Sequence, residues 1–502
     1  MRRAFLAIVI LSALVRLALG QGLPPGSFRV SIDPSVHRGE YSGTVYLVLG
    51  SSRSPEPRLR LGDWFGKMQV LAVEVERLMP GEAVEFNHGG VRAYPNAIGE
   101  ISPGEYWVQA VADRSPDSSE FGNGPGDLYS EVEPLTLSGA ATDVRTITLT
   151  KAVARTPFRE TDRVKLVEFD SPLLTSFYGR PVASRAAVRL PKGWTDDPEV
   201  VWPTLYLIGG FGSDHSLVHR AESLLGGGDL LDRVLLVVPD PSSGRGHTVF
   251  ADSANNGPRG RALIEEMIPA VEARFHGARG DHTARFVTGL SSGGWSSLWL
   301  QISYPDHFNG CWSHCPDPVD FRDFQRINLY EPGANMYRDE KGERRPIARM
   351  GSAPRLWYED FVRQEDTLGP GGQIHAFEAV FSPRLPDGRP RPLFDRATGL
   401  VDLETAKAWE PYDIRLILER RWDALGPKLK GKVRVFAGGL DTFYLEGAVE
   451  RLKESLSALG SDAVVEVVPR MAHTFYRPAL REMMRTIAGV AEPEPPAADP
   501  GR

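Results

Sequence analysis

Residues 284–299, ARFVTGLSSGGWSSLW, limit what this chain can become more than any other stretch. A short apolar run ending at Leu290 reads as a buried strand, and Trp295, Leu298 and Trp299 begin a helical stripe. Between them stands Gly289-Leu290-Ser291-Ser292-Gly293. A strand that passes straight into a helix crowds its own backbone, so the residues two before and two after the apex must be nearly free of side chain. Ser291 meets both conditions through Gly289 and Gly293, whereas Ser292 has Leu290 two residues before it. The spacing therefore predicts an exposed Ser291 hydroxyl at the apex, with the first amides of a helix behind it.

A chain with 51 glycines contains such patterns by chance, so the surrounding elements must decide. After residue 156, RVKLVEF and ASRAAVRLP read as paired strands, and PTLYLIGG and RVLLVVPD as strands buried on both faces. Helical segments separate the later strands KVRVFAGG and AVVEVVP. The segment RALIEEMIPAVEARF carries one apolar stripe, broken or restarted at Pro269, and GAVERLKESLSALG ends at Gly460. This alternation predicts an α/β fold with a largely parallel sheet.

That fold places further demands on the chain. An oxyanion site requires one amide after the nucleophile and one from the loop after an earlier strand. Ser292 supplies the first, and Gly209-Gly210-Phe211-Gly212 the second, through the amide of Phe211, with that of Gly210 as the second candidate. A carboxylate and a histidine must follow the last two strands, in the chain order Ser, acid, His. Asp441 stands just past KVRVFAGG and His473 just past AVVEVVP. In this arrangement the histidine takes the serine proton and the aspartate fixes the ring tautomer. His215 and His247 stand where either could line the site, with surface placement expected, and His314 and His375, near or within a later insertion, could touch substrate; none of the four is assigned chemistry.

At 502 residues and 41% hydrophobic, the chain has room for two or three domains. Residues 1–20 carry Arg2 and Arg3, an apolar run interrupted by Arg16, and small residues at the end. This predicts an export signal rather than a span, and no membrane span in the mature protein. Residues 21–155 hold alternating runs such as SGTVYLVLG and GEYWVQAVAD, which predict an all-β, immunoglobulin-like sandwich serving as a packing or spacer domain. Residues 156–490 form the α/β body, with an aromatic- and proline-rich insertion at 317–430, and 491–502 reads as a disordered tail. The formal charge of −7 is dispersed, which excludes a nucleic-acid partner. Cys311 and Cys315 are either a small-loop disulfide or two buried thiols, and no metal or cofactor is expected.

With these motifs in place, the chain resembles the putative-esterase (esterase D-like) branch of the α/β-hydrolases over roughly residues 156–485. That branch includes feruloyl esterases and antigen 85-like enzymes. The resemblance rests on PTLYLIGGFG, VTGLSSGGWSSLWLQISYPDHF, FAGGLDTFYL and MAHTFY. It implies a serine carboxylic-ester hydrolase and supports Ser291, Asp441 and His473. Many relatives carry His-Gly where Gly209-Gly210 stands, and the 317–430 insertion is larger than usual. The expected substrate is a small-molecule or polysaccharide-linked acyl or aryl ester. The aromatics Trp357, Tyr358, Trp409 and Tyr412 motivate the polysaccharide, although hydrophobic packing explains them equally. The alternatives are an acyltransferase, a prolyl-oligopeptidase-like peptidase, and a secreted binding protein with an inactive hydrolase fold. The peptidase reading would require a propeller that about 130 residues cannot build.

Overall fold

The computed structural model describes residues 28–489 except 67, 88, 138–143, 227 and 279. The expected export signal (1–20) and tail (491–502) lie outside the described residues. Among these residues no helix is long and apolar enough to cross a membrane.

Eight strands form the central sheet: β1 (Val164–Asp170), β2 (Ala183–Arg189), β3 (Thr204–Ile208), β4 (Leu235–Pro239), β5 (Arg285–Leu290), β6 (Cys311–His314), β7 (Val433–Gly438) and β8 (Val464–Val468). Their spatial order is β1-β2-β4-β3-β5-β6-β7-β8. β2 is antiparallel to both neighbours, and from β4 to β8 every pairing is parallel. This is the α/β-hydrolase fold. Its apolar strands are continuous because both faces are covered: Tyr206 and Ile208 enter one core, while Leu205 and Leu207 enter the other. The register pairs Ile208 with Gly289, Leu290 with His314, and Gly438 with Val468, so the loops carrying the candidate residues leave one edge of the sheet.

The helical segment before β5 contains a π-turn at Leu263–Met267 and resumes as Ile268–Phe275. Pro269 lacks an N–H and stands at the start of the resumed helix, where that loss is harmless. Glu272 of this helix pairs bidentately with Arg285 at the start of β5, at 2.7 and 2.8 Å, both side chains being buried. α1 (Ser292–Ser303) follows the elbow. Cys311 and Cys315 are two buried free thiols.

Between β6 and β7 lies the insertion, with a hairpin at Pro346–Met350 and Ala353–Trp357, α2 (Tyr358–Leu368), α3 (Gln373–Phe381) and α4 (Ile414–Leu429). Phe321, Phe324, Phe377, Phe381 and Trp409 pack edge to face inside it and join the main core. Tyr358 and Trp409 are buried, which makes them core residues rather than an exposed aromatic platform. α5 (Glu446–Ala458) connects β7 to β8, Gly460 turns at φ 68°, and α6 (Arg477–Ile487) closes the body.

The N-terminal region is all-β. Phe28–Ile32 pairs with Ala83–Phe86 and Arg145–Leu149 in a three-stranded sheet, and a seven-stranded sheet is built around Tyr41–Gly50, Gln69–Leu78 and Gly104–Ala112. Val30, Ile147, Leu47, Leu71 and Val108 fill the core between the two sheets. The other face of the larger sheet is apolar too: Tyr46, Val48, Val70 and Val111 bury Leu368 at the end of α2.

Candidate active site

The elbow is as crowded as its glycines imply. A Cβ on Gly289 would lie 2.2 Å from the Gly293 carbonyl oxygen, and one on Gly293 would lie 2.1 Å from that of Ile208. Ser291 between them adopts φ 63° and ψ −127°, a strained conformation for a residue with a side chain. Its backbone is held by the Ser291 N–H to His314 O (3.1 Å) and by Trp295 N–H to Ser291 O (2.9 Å).

The loop after β3 lies directly against this apex, where a Cβ on Gly210 would sit 3.1 Å from Leu290 O and 3.4 Å from Ser291 Cβ. Ser213 N–H closes the loop onto Gly210 O at 3.0 Å, and Gly212 supplies φ 75°. His247 anchors the loop from below. Its Nδ1 accepts the Val249 N–H at 3.0 Å, so its Nε2–H donates to Gly209 O at 2.9 Å. Burial depresses the His247 pKa to about 4 and keeps the ring neutral. The surface placement expected for His247 is therefore wrong, because the tight turn after β4 folds it inward. His215 is only partly exposed and pairs with Asp240 at 3.0 Å. His314 is buried within β6, and His375 is held by Asp366 at 2.9 Å.

Asp441 follows β7 and is completely buried. Its Oδ2 lies 2.8 Å from His473 Nδ1, and its Oδ1 accepts the Phe443 N–H at 2.8 Å. The Phe443 ring then meets the imidazole edge to face at 4.9 Å. Cys315 Sγ is within 4.8 Å of both groups, and burial beside Asp441 pushes its thiol well above the usual range, which keeps it protonated.

The structure also brings in a residue that the sequence reading missed. Asp317, three residues past β6, accepts a hydrogen bond from Ser292 Oγ at 2.5 Å and from Ser291 Oγ at 3.5 Å, and Gln373 Nε2 approaches at 3.4 Å. The Ser291 hydroxyl is thus hydrogen-bonded to Asp317 and not to His473. Burial raises the Asp317 carboxyl to about 6, opposed by the Ser292 hydroxyl and by His473. Only the placement of an acidic residue just past a parallel strand hinted at it. Gln373 is fixed in turn by Glu365, which accepts the Gln373 and Ile374 amides at the start of α3.

A cavity of about 30 Å³ opens beside Ser291, walled by Asp317, Gln373, Phe361, Phe377, Phe443 and Trp64. Trp64 comes from the N-terminal region. On its other side a cleft of about 1110 Å³ runs between the N-terminal sheets and the hydrolase body, past Phe211, Ser213, Asp214 and Phe158.

No curated protein matches the chain. Solved structures similar to it include a ferulic acid esterase (15% identity, TM-score 0.40, covering 65% of this chain and 98% of that one). Others are an S-formylglutathione hydrolase from Agrobacterium tumefaciens (15%, 0.38, 65% and 94%) and a ferulic acid esterase from Anaeromyces mucronatus (13%, 0.34, 67% and 94%). Residues 183–417, from β2 through the elbow to the start of α4, match the model of the family described as Putative esterase. Over these residues the hydrolase body is similar to that family, and the protein is a carboxylic-ester hydrolase.

Proposed function

We propose that this is an exported serine esterase that works through an acyl-enzyme on Ser291, with His473 as general base and Asp441 as its orienting acid. The observation that carries the reading is the pair of buried Asp441 and partly buried His473 at 2.8 Å, on loops that leave the same sheet edge as the strained Ser291. For attack the Ser291 hydroxyl must turn from Asp317 toward the imidazole, a change of rotamer about its Cα–Cβ bond. His473 Nε2 then takes the proton as Oγ attacks the ester carbonyl carbon. The charge formed on the carbonyl oxygen is met by the amide of Ser292 and by that of Phe211 or, in its place, Gly210. When the tetrahedral adduct collapses, the imidazolium protonates the departing alcohol, and water repeats the cycle on the acyl-enzyme. The large cleft, lined by hydroxyls, carboxylates and rings, supports a polysaccharide-linked ester as the substrate class. The basic and apolar character of residues 1–20 supports export.

The purified protein is expected to hydrolyse p-nitrophenyl acetate, and Ser291→Ala to lower kcat by about four orders of magnitude or more with unchanged circular dichroism. A fluorophosphonate should label the peptide carrying Ser291. A Ser291→Ala protein that keeps most of its activity would overturn the reading.

A further inference from the structure

Trp64 lies on the walls of both the small cavity beside Ser291 and the large cleft, so its indole divides them. It is held at that boundary by three rings from three parts of the hydrolase body. Phe211 of the loop after β3 stands at 5.5 Å, Phe361 of α2 at 5.0 Å, and Phe443, which follows Asp441, at 5.6 Å. The neighbouring Asp63 carbonyl accepts Gln364 Nε2 of α2 at 2.9 Å, which secures the loop from the N-terminal sheet.

The cavity is suited to one side of an ester only. A departing alcohol must lie beside His473 to receive its proton, and His473 does not line the cavity, whereas Phe443, in edge-to-face contact with the imidazole, does. The acyl group therefore occupies the cavity, whose volume of about 30 Å³ has room for roughly two or three water-sized groups. We infer that Trp64, supplied by the N-terminal domain, closes the acyl pocket and restricts the enzyme to short acyl chains. Without the indole, the pocket would open into the cleft and admit longer ones. This inference rests on the esterase reading given above.

The test compares kcat/KM for p-nitrophenyl acetate, butyrate and hexanoate in the full chain and in Trp64→Ala and Trp64→Phe. One methylene in a snug pocket changes discrimination by about tenfold or more. The wild type is expected to decline steeply from acetate to hexanoate. Trp64→Ala should raise the hexanoate-to-acetate ratio by at least about tenfold, with Trp64→Phe between the two. Trp64→Phe keeps a ring in the cluster and serves if the alanine variant does not fold. A ratio unchanged in both variants, or a parallel loss on every ester, would overturn the inference. Fluorophosphonate labelling of Ser291 in the same samples separates the two readings. Labelling with an unchanged ratio refutes the role of Trp64 alone, whereas absence of labelling in the wild type refutes the serine esterase itself.

Discussion

Asp317 and Asp441 are both buried carboxylates within the same site, yet their partners differ. Asp441 receives an imidazole and a backbone N–H, whereas Asp317 receives one close hydroxyl, one distant hydroxyl and a distant amide. For Asp317 this leaves burial dominant, and its carboxyl rises from 3.8 to about 6. The folded protein therefore retains that proton over a range in which the unfolded chain has lost it. The associated stability is full below about pH 4 and is lost as pH rises through about 6. Asp317→Asn keeps an oxygen that accepts from Ser292 and removes the titration. It is expected to match the wild type in urea unfolding at pH 4 and to exceed it by about 2–3 kcal/mol at pH 8. A difference between the two proteins that does not change with pH would count against this account.

At the scale of elements, the elbow is a junction of β3, β5 and α1 in which backbone touches backbone. Nothing there can move aside as a flexible side chain would. Gly293→Ala would place its methyl carbon 2.1 Å from Ile208 O and 2.7 Å from Gly209 O, pushing β3 and the loop that follows it. The expected cost is about 1–3 kcal/mol of stability, read as a lower urea midpoint, together with loss of esterase activity from the displaced amides. Gly351, at φ 59° in an open turn where an added Cβ would meet nothing within 4 Å, makes a useful contrast. Alanine there should lower stability through its backbone angle alone and leave activity intact.

In the molecule as a whole, the N-terminal domain is joined to the body through the insertion. Leu368 fills the outer face of the seven-stranded sheet, the Tyr46 hydroxyl donates to Leu368 O, and Arg363 reaches Pro95 O at 3.0 Å. An apolar attachment of this kind couples the unfolding of the two parts. Leu368→Ala is expected to cost about 2–5 kcal/mol and to split a single calorimetric transition into two. An unaltered single transition would show that the two parts are coupled elsewhere. The same attachment positions Trp64, so the variant should also relax acyl-length selectivity in the direction of Trp64→Ala.

Much of the hydrolase body was legible because its rules are local. Gly289 and Gly293 around Ser291 form a pattern that is readable within five residues, although the atoms a Cβ on Gly293 would strike belong to β3 and its loop. The apolar runs of β3, β4 and β5 announce burial on both faces, and Asp441 and His473 follow their strands directly. Asp317, His247 and Trp64 carry no such mark. An acid after a strand, a histidine in a turn and a tryptophan in a β-domain loop are ordinary in sequence and acquire their surroundings only when distant segments meet. The sequence by itself determined where the chain bends sharply and which strands lie inside, because those follow from side-chain volume and periodicity. Only the tertiary structure decided which carboxylate the serine faces and which ring bounds its pocket, because both depend on contacts between separate segments, 26 positions apart for Ser291 and Asp317 and well over a hundred for Trp64 and its three rings.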